Sequence, residues 1–430
     1  MVFMQRKKGN FIILISVILT LSLYLLSKAD LKILWRFPWL SASQMMSLVG
    51  TVLLSFTFVL GSRSKFLENW FGNLGEVNKK HQRLGKISYF LLLLHPLLLV
   101  VNVLLNVKAA TDLIYLSQNN ASNFGELALF LMTALLVLTL VIKLPYHIWI
   151  ISHDFMGLAL LLGIFHVFLI ESDVSRYLPL RWWILFVLGV GVYFYVYKVF
   201  LYKWLGPKHE YLVKRVKKIG DISEIYLEPK SNPIAFFPGQ FAYLSFDDPE
   251  LKEVHPFSFS SSPDNKTVRF SVKILGDYTS RLKKLRAGTK AVIWGAYGKM
   301  YRGFYTNKEV VCIAGGIGIT PFLSMLEFEI NHPIKRKIDL FYSAKSKNEA
   351  IYDRELKGWE DKLDRFVYHP NFDDSKPRLT VTIIKKTIGS LENKLFYLCG
   401  PRSMMESMIK QLKSAGVKDD SIIFEDFNFK

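Results

Sequence analysis

Apolar positions along the first half of the chain gather into six long runs, near 11–27, 44–61, 84–106, 125–142, 149–170 and 182–204. Each run is close to the roughly 20 residues a helix needs to cross about 30 Å of hydrocarbon. After Leu205-Gly206-Pro207 the pattern shortens to alternating apolar and polar positions over 211–216, 222–228, 240–245, 268–274 and 290–294, with turn residues between. That period predicts a small antiparallel β-barrel. From Glu309 onward, strand-like runs at 310–314, 338–343, 395–398 and 422–424 alternate with helical patterns at 321–330 and 403–414. Such alternation predicts a doubly wound α/β domain. The expected division is a six-helix transmembrane bundle over 1–206, a β-barrel over 207–306 and an α/β domain over 307–430.

Charge changes the picture in one respect. The 430 residues carry 55 Lys and Arg against 36 Asp and Glu, a net +19. With the N-terminus inside, about twelve Lys and Arg flank the runs on the inner side and about six on the outer, which places both termini in the cytoplasm of a multi-pass membrane protein. The first run follows Arg6-Lys7-Lys8 without a small-residue cleavage site after it, so it is expected to be retained as a span. The basic excess therefore needs no nucleic acid, and no nucleic-acid-binding motif is visible. Cys312 and Cys399 are the two cysteines. They are too few for a disulfide framework, a thiolate zinc site or a cysteine-ligated iron–sulfur cluster.

Ionisable side chains inside a membrane are costly and usually functional. His81 and His95 on the third run are fourteen residues apart, about 21 Å along a helix and only ~40° around it. His153 and His166 on the fifth run are thirteen apart, about 19.5 Å in depth but ~140° away from a common face. Both runs cross in the same direction, so His81 meets His153 near the cytoplasm and His95 meets His166 near the outside. Each pair then suits the axial ligation of a haem in the bundle core. The competing readings are hydrogen bonding between helices and a dinuclear metal site, although these spans lack the carboxylates for the latter. Gly157 and Gly163 are the candidates for the distortion the fifth helix needs, and His147 fits an interfacial position.

In the barrel, Pro238-Gly239-Gln240-Phe241 precedes His255-Pro256-Phe257-Ser258. An apolar wall ending in a hydroxyl suits a flavin ring, whose redox nitrogen needs a hydrogen-bond donor. Lys273 and the turn Gly276-Asp277-Tyr278-Thr279-Ser280 offer a cation and a helix start for a pyrophosphate. Gly315-Gly316-Ile317-Gly318-Ile319-Thr320-Pro321 joins a strand to a helix, the setting in which backbone approaches a dinucleotide phosphate. Ser343, Lys345 and Lys347 follow the next strand with no acidic residue among them, which favours the 2′-phosphate of NADPH. Cys399-Gly400-Pro401 ends another strand, where its thiol either approaches the nicotinamide or is a buried structural cysteine. A terminal aromatic, Phe427 or else Phe429, is placed to cover the flavin. Ser258, Cys399 and Phe427 are thus the candidates for direct action at the reacting ring.

These motifs together resemble those of the NADPH oxidase and ferric reductase superfamily, in a bacterial form. The likeness runs from the third span to the C-terminus by motif, and before that by hydropathy alone. His255-Pro256-Phe257-Ser258 resembles the family's HPFT, Gly276-Asp277-Tyr278-Thr279 its GDWT, and Gly295-Ala296-Tyr297-Gly298 its GPYG, with Ala for Pro. The resemblance implies a ferredoxin-reductase-like module after the bundle. It also implies two b-type haems on His81/His153 and His95/His166, FAD in the barrel and NADPH in the last domain. Electrons would pass to oxygen outside, forming superoxide, or in the alternative to ferric or cupric ions. Eukaryotic oxidases of the family place a histidine one turn beyond the outer ligand of the third helix and an arginine in the second. Here Leu99 stands at the first position, and the second span has no arginine before Arg63, so the acceptor stays open. No calcium-binding loop or required protein partner is implied, and constitutive activity is expected.

Overall fold

In the computed structural model, residues 2–104, 120–142, 144–374 and 377–425 are described. The chain divides into two compact units, Met1–Leu205 and Gly206–Lys430.

Among the described residues of the first unit, six helices are long and apolar enough to cross a membrane: Lys8–Leu26, Pro38–Gly61, Leu74–Asn102, Asn120–Leu140, Ile148–Leu169 and Leu178–Leu201. The third starts ten residues before its apolar run, because Asn73 and Glu76 form a capping box that satisfies the free N–H groups of the first turn. His81 therefore lies inside a continuous helix. The fifth span is two helices, Tyr146–Asp154 and Met156–Leu169, separated at Phe155. The ladder stops between His153 and His166, so the thirteen-residue spacing does not lie on one ideal helix. The distortion is not at the glycines: Gly157 packs on the Tyr195 ring, and a side chain at Gly163 would meet open space. Tyr24, Val52, Leu160, Leu180 and Ile184 form the bundle core.

The second unit opens with a six-stranded antiparallel sheet ordered β4-β3-β6-β1-β2-β5. Its strands are β1 (Lys208–Ile219), β2 (Ile222–Pro229), β3 (Phe241–Phe246), β4 (His255–Ser258), β5 (Val268–Lys273) and β6 (Lys290–Tyr297). Tyr211, Ile225, Leu244, Phe259, Phe270 and Ile293 fill it. A five-stranded parallel sheet follows, ordered β11-β10-β7-β8-β9. Here the strands are β7 (Val310–Gly315), β8 (Ile338–Ala344), β9 (Phe366–Phe372), β10 (Leu395–Cys399) and β11 (Ile422–Phe424). Sequence patterning missed β9, whose apolar run is interrupted by His369, Pro370 and Asn371. An edge position explains why Pro370 is tolerated there. The two sheets are joined through buried polar contacts. The Tyr352 hydroxyl lies 2.9 Å from Glu224 and 2.7 Å from Ser271, Ser324 Oγ donates to the Ser261 carbonyl at 2.7 Å, and the Ser262 N–H donates to Glu327 at 2.8 Å.

Candidate functional site

The four membrane histidines meet two by two. The His81 and His153 rings have centroids 5.9 Å apart, and those of His95 and His166 are 6.5 Å apart. A metal held between two imidazole nitrogens at about 2 Å each needs ring centres on the order of 6 Å apart. Each ring is also oriented from behind. His81 Nδ1 donates to the Thr57 carbonyl at 2.9 Å, and His166 Nδ1 to the Ala121 carbonyl at 2.7 Å. His95 Nδ1 faces Ser43, 2.7 Å from Oγ and 3.2 Å from the carbonyl. Since Ser43 Oγ gives its own proton to the His95 carbonyl, it accepts from the ring. His153 Nδ1 lies 3.4 Å from Thr139 Oγ1, whose proton goes to the Leu135 carbonyl.

The 3.4 Å contact of His153 holds its ring only weakly, whereas the rings of His81, His95 and His166 are protonated at Nδ1 and keep their Nε2 lone pairs for a metal. That is the orientation by outer hydrogen bonds expected of ligating histidines. Among the described residues no three His, Cys, Asp or Glu converge, so the donor set fits paired axial ligation rather than a polynuclear cluster. Gly125 shapes the same site: a Cβ there would sit 2.8 Å from His166 Nδ1. Ser43, Thr57, Ala121 and Thr139 were missed by sequence reasoning. The fourteen-residue gap from Ser43 to Thr57 mirrors that from His81 to His95, but a carbonyl acceptor leaves no mark in sequence.

In the barrel, β4 pairs antiparallel with β3, Ser258 opposite Phe241 and Pro256 opposite Tyr243. The His255 ring packs on Tyr278 with centroids 3.8 Å apart, and its Nε2 lies 3.0 Å from Glu253. Burial pushes His255 below its ordinary imidazole range, against the opposing pull of Glu253. Phe257 flanks it, while Ser258 is buried. The turn at Gly276 departs from expectation. Thr279 Oγ1 accepts from the N–H groups of Leu275 and Gly276 at 2.9 and 3.1 Å, so those donors already have a partner. Lys273 likewise reaches Asp221 at 3.0 Å and Glu349 at 3.4 Å. Burial acts to lower its pKa, but the two carboxylates together hold it above the ordinary lysine value. A pyrophosphate there would compete with both.

The parallel sheet changes direction between β7 and β10, and the loops after these strands meet at that switch point, where α/β ligands gather. Gly318 explains how closely they approach: a Cβ would lie 2.3 Å from the Cys399 carbonyl oxygen. Gly400 packs on Gly315, and a Cβ at Gly315 would meet Pro401 and Met404 at 2.8 and 2.7 Å. Gly316 takes a positive φ of 53°, and Thr320 and Pro321 start the helix Thr320–Asn331. Burial, and after it the Glu425 carboxylate, push the Cys399 thiol well above its ordinary value, so it remains a protonated thiol. Glu425, missed in the sequence, is buried and accepts from the Lys299 N–H at 2.7 Å, tying the segment after β11 to the barrel. Phe427 and Phe429 lie outside the described residues.

Ser343, next to the last residue of β8, is half-buried, while Lys345 and Lys347 are exposed. The fold brings acids beside them: the N–H groups of Asp373 and Asp374 donate to the carbonyls of Ala344 and Lys345 at 3.0 and 3.2 Å. Sequence reasoning looked only at neighbours along the chain and could not see this pair.

Residues 46–164 match the family described as ferric reductase like transmembrane component, 208–310 an FAD-binding domain, and 312–410 an oxidoreductase NAD-binding domain. One component of the Na(+)-translocating NADH-quinone reductase of Serratia proteamaculans is 30% identical over 199 residues, 40% of this chain and 49% of that protein. A flavohemoprotein of Oceanobacillus iheyensis is 26% identical over 245 residues, covering 52% and 60%. The chain thus spans about half the length of the curated relatives it matches. The structure of flavohemoglobin from Malassezia yamatoensis shares the fold at a TM-score of 0.50 and 20% identity, covering 81% of this chain and 97% of that one.

Six apolar helices with a ferric-reductase-like transmembrane component, an antiparallel FAD-binding domain and a parallel-sheet oxidoreductase NAD-binding domain define a membrane flavoprotein of the oxidoreductase class. This order of domains is the architecture of the NADPH oxidase and ferric reductase superfamily, and the chain has it.

Proposed function

We propose that the protein takes electrons from cytosolic NADPH through FAD and two b-type haems to oxygen on the far side of the membrane, forming superoxide. The reading takes 1–206, 207–306 and 307–430 as the haem, FAD and NADPH domains, with both termini cytoplasmic. The observation that carries it is the meeting of the four histidines two by two, with the Nδ1 atoms of His81, His95 and His166 donating to neighbouring helices and so leaving their Nε2 lone pairs for a metal. His81 and His153 would hold the inner haem, His95 and His166 the outer. When bound, the flavin accepts a hydride and yields single electrons, and the haems carry these across the membrane.

The chain's own residues supply position and surroundings. His255, Pro256 and Phe257 wall the flavin ring, and the Ser258 hydroxyl donates to it. Lys273, Gly276 and Thr279 are the proposed pyrophosphate contacts, which requires Lys273 to exchange a carboxylate for phosphate. Gly315, Gly316, Gly318, Thr320 and Pro321 bring backbone to the nucleotide, and Cys399, Gly400 and Pro401 hold the nicotinamide end. Phe427 is the proposed cover of the flavin face. Ser343, Lys345 and Lys347 favour the 2′-phosphate. Asp373 and Asp374 beside them, and relatives named for NADH, make NADH the competing donor.

Reduced-minus-oxidised spectra of the purified protein, with haem counted per chain, test the membrane half: two b-type haems are expected, and a flavin-loaded but haem-free chain sinks the proposal. A second reading, reduction of extracytoplasmic ferric or cupric ions, is favoured by Leu99 and the arginine-free second span. Cytochrome c reduction abolished by superoxide dismutase supports the oxidase. Fast anaerobic Fe(III) reduction without superoxide supports the reductase.

A further inference from the structure

Three of the four membrane histidines are held by a backbone carbonyl, at 2.9 Å for His81, 3.2 Å for His95 and 2.7 Å for His166. His153 is the exception. Among the described residues its Nδ1 has only the Thr139 hydroxyl, at 3.4 Å, beyond the usual 2.7–3.2 Å range for such a bond. Rotation of an imidazole about its last side-chain torsion is broad, so that contact alone defines the ring plane poorly. His153 also stands two residues before the break at Phe155, where its segment is tied least firmly to the rest of the fifth span.

A second contact compensates. The Trp149 indole lies parallel to the His153 ring, with an interplanar angle of 8° and centroids 5.5 Å apart. That is within the range of attractive aromatic pairs. Both residues belong to the short helix Tyr146–Asp154, four positions apart, the spacing at which side chains of one helix meet. Platform and ligand therefore form a unit that the break at Phe155 cannot separate.

We infer that Trp149 is a positioning residue for His153: its indole sets the plane of the imidazole in place of the carbonyl that holds the other three. This rests on the haem-ligation reading above. The plane matters because the mutual angle of two axial imidazoles sets the splitting of the ferric iron d-orbitals, and so the low-spin electron paramagnetic resonance signal and the potential. In His81/His153 that angle is 74°.

The test uses full-length, haem-loaded protein with two haem signals resolved. Trp149→Leu keeps an apolar side chain but removes the plane. It should shift the ferric resonance and midpoint potential of one haem, leave the other unchanged, and weaken the affected haem's affinity by about tenfold, as loss of an outer-shell partner does. Trp149→Phe should restore the wild-type signal, and Trp182→Leu, at an exposed tryptophan, should change neither. Unaltered resonances and potentials in Trp149→Leu overturn the inference. Should that chain fail to fold, Thr139→Val decides. With Trp149 intact it should leave the inner signal in place, and a signal lost there makes the hydroxyl the holder and the inference wrong. Failure of the underlying reading looks different, because His153→Ala would then retain both haems.

Discussion

In the membrane unit four side chains do the reaching, three of them oriented by the backbone of a neighbouring helix; in the nucleotide domain the backbone itself forms the site. His95 and His166 extend from the third and fifth spans and are held by Ser43 and Ala121 of the second and fourth. At the switch point of the parallel sheet, Gly318 lies so close to Cys399 that no side chain fits between them. The two designs fail in different ways. On the proposed reading, a lost imidazole removes a ligand while the apolar packing of the bundle core stays in place. An added methyl at Gly318 pushes two strands' loops apart and disturbs structure and binding together.

The sharpest separation comes from His166→Ala. Haem per chain should fall from two to one while NADPH-to-dye transfer through the flavin continues; full haem content in this variant breaks the assignment. Gly318→Ala should do the reverse, keeping both haems but lowering NADPH turnover more than tenfold and stability by about 1–3 kcal/mol, the usual cost of overpacking. Absorbance spectra and thermal unfolding of the same sample report both quantities.

A smaller effect is expected from Lys345→Glu, which should raise the Michaelis constant for NADPH by about tenfold and for NADH much less. Equal changes for the two donors would remove Lys345 from the 2′-phosphate site and leave Asp373 and Asp374 to decide nucleotide choice. Smallest of all is the effect of pH through Cys399. Its thiol is held above its ordinary value by burial and Glu425, so it is neutral at and below that value. Turnover should show no loss attributable to this thiol between about pH 7 and 9, where an unperturbed cysteine ionises. A fall in that window that disappears in Cys399→Ala would contradict the buried, protonated thiol.

Much of this was legible in one dimension wherever the relevant physics is local. Helix length, the depth of a histidine and the turn from β7 into its helix follow from rise per residue, hydropathy and glycine spacing. The fifth span shows where that reasoning ends. Thirteen residues on an ideal helix point the two histidines apart, yet in the structure the span is broken at Phe155 and both rings meet those of the third span. Lys273 and Thr279 show the same limit in the barrel, since Asp221 and Glu349, and the N–H groups of Leu275 and Gly276, occupy groups assigned to a ligand.

By itself, the amino-acid order determined six spans, two sheets of opposite type and four histidines at matched depths. Those properties are sums of local terms: transfer energy per residue, side-chain period and the rise of a helix. The tertiary structure alone decided which atom of His81, His95 and His166 remains for a metal, because that depends on carbonyls and a hydroxyl from helices 24 to 52 residues away along the chain. It also decided that Asp373 stands near Lys345 and that Glu425 reaches the barrel. Such contacts are made between segments whose separation along the chain carries no information about their distance in space.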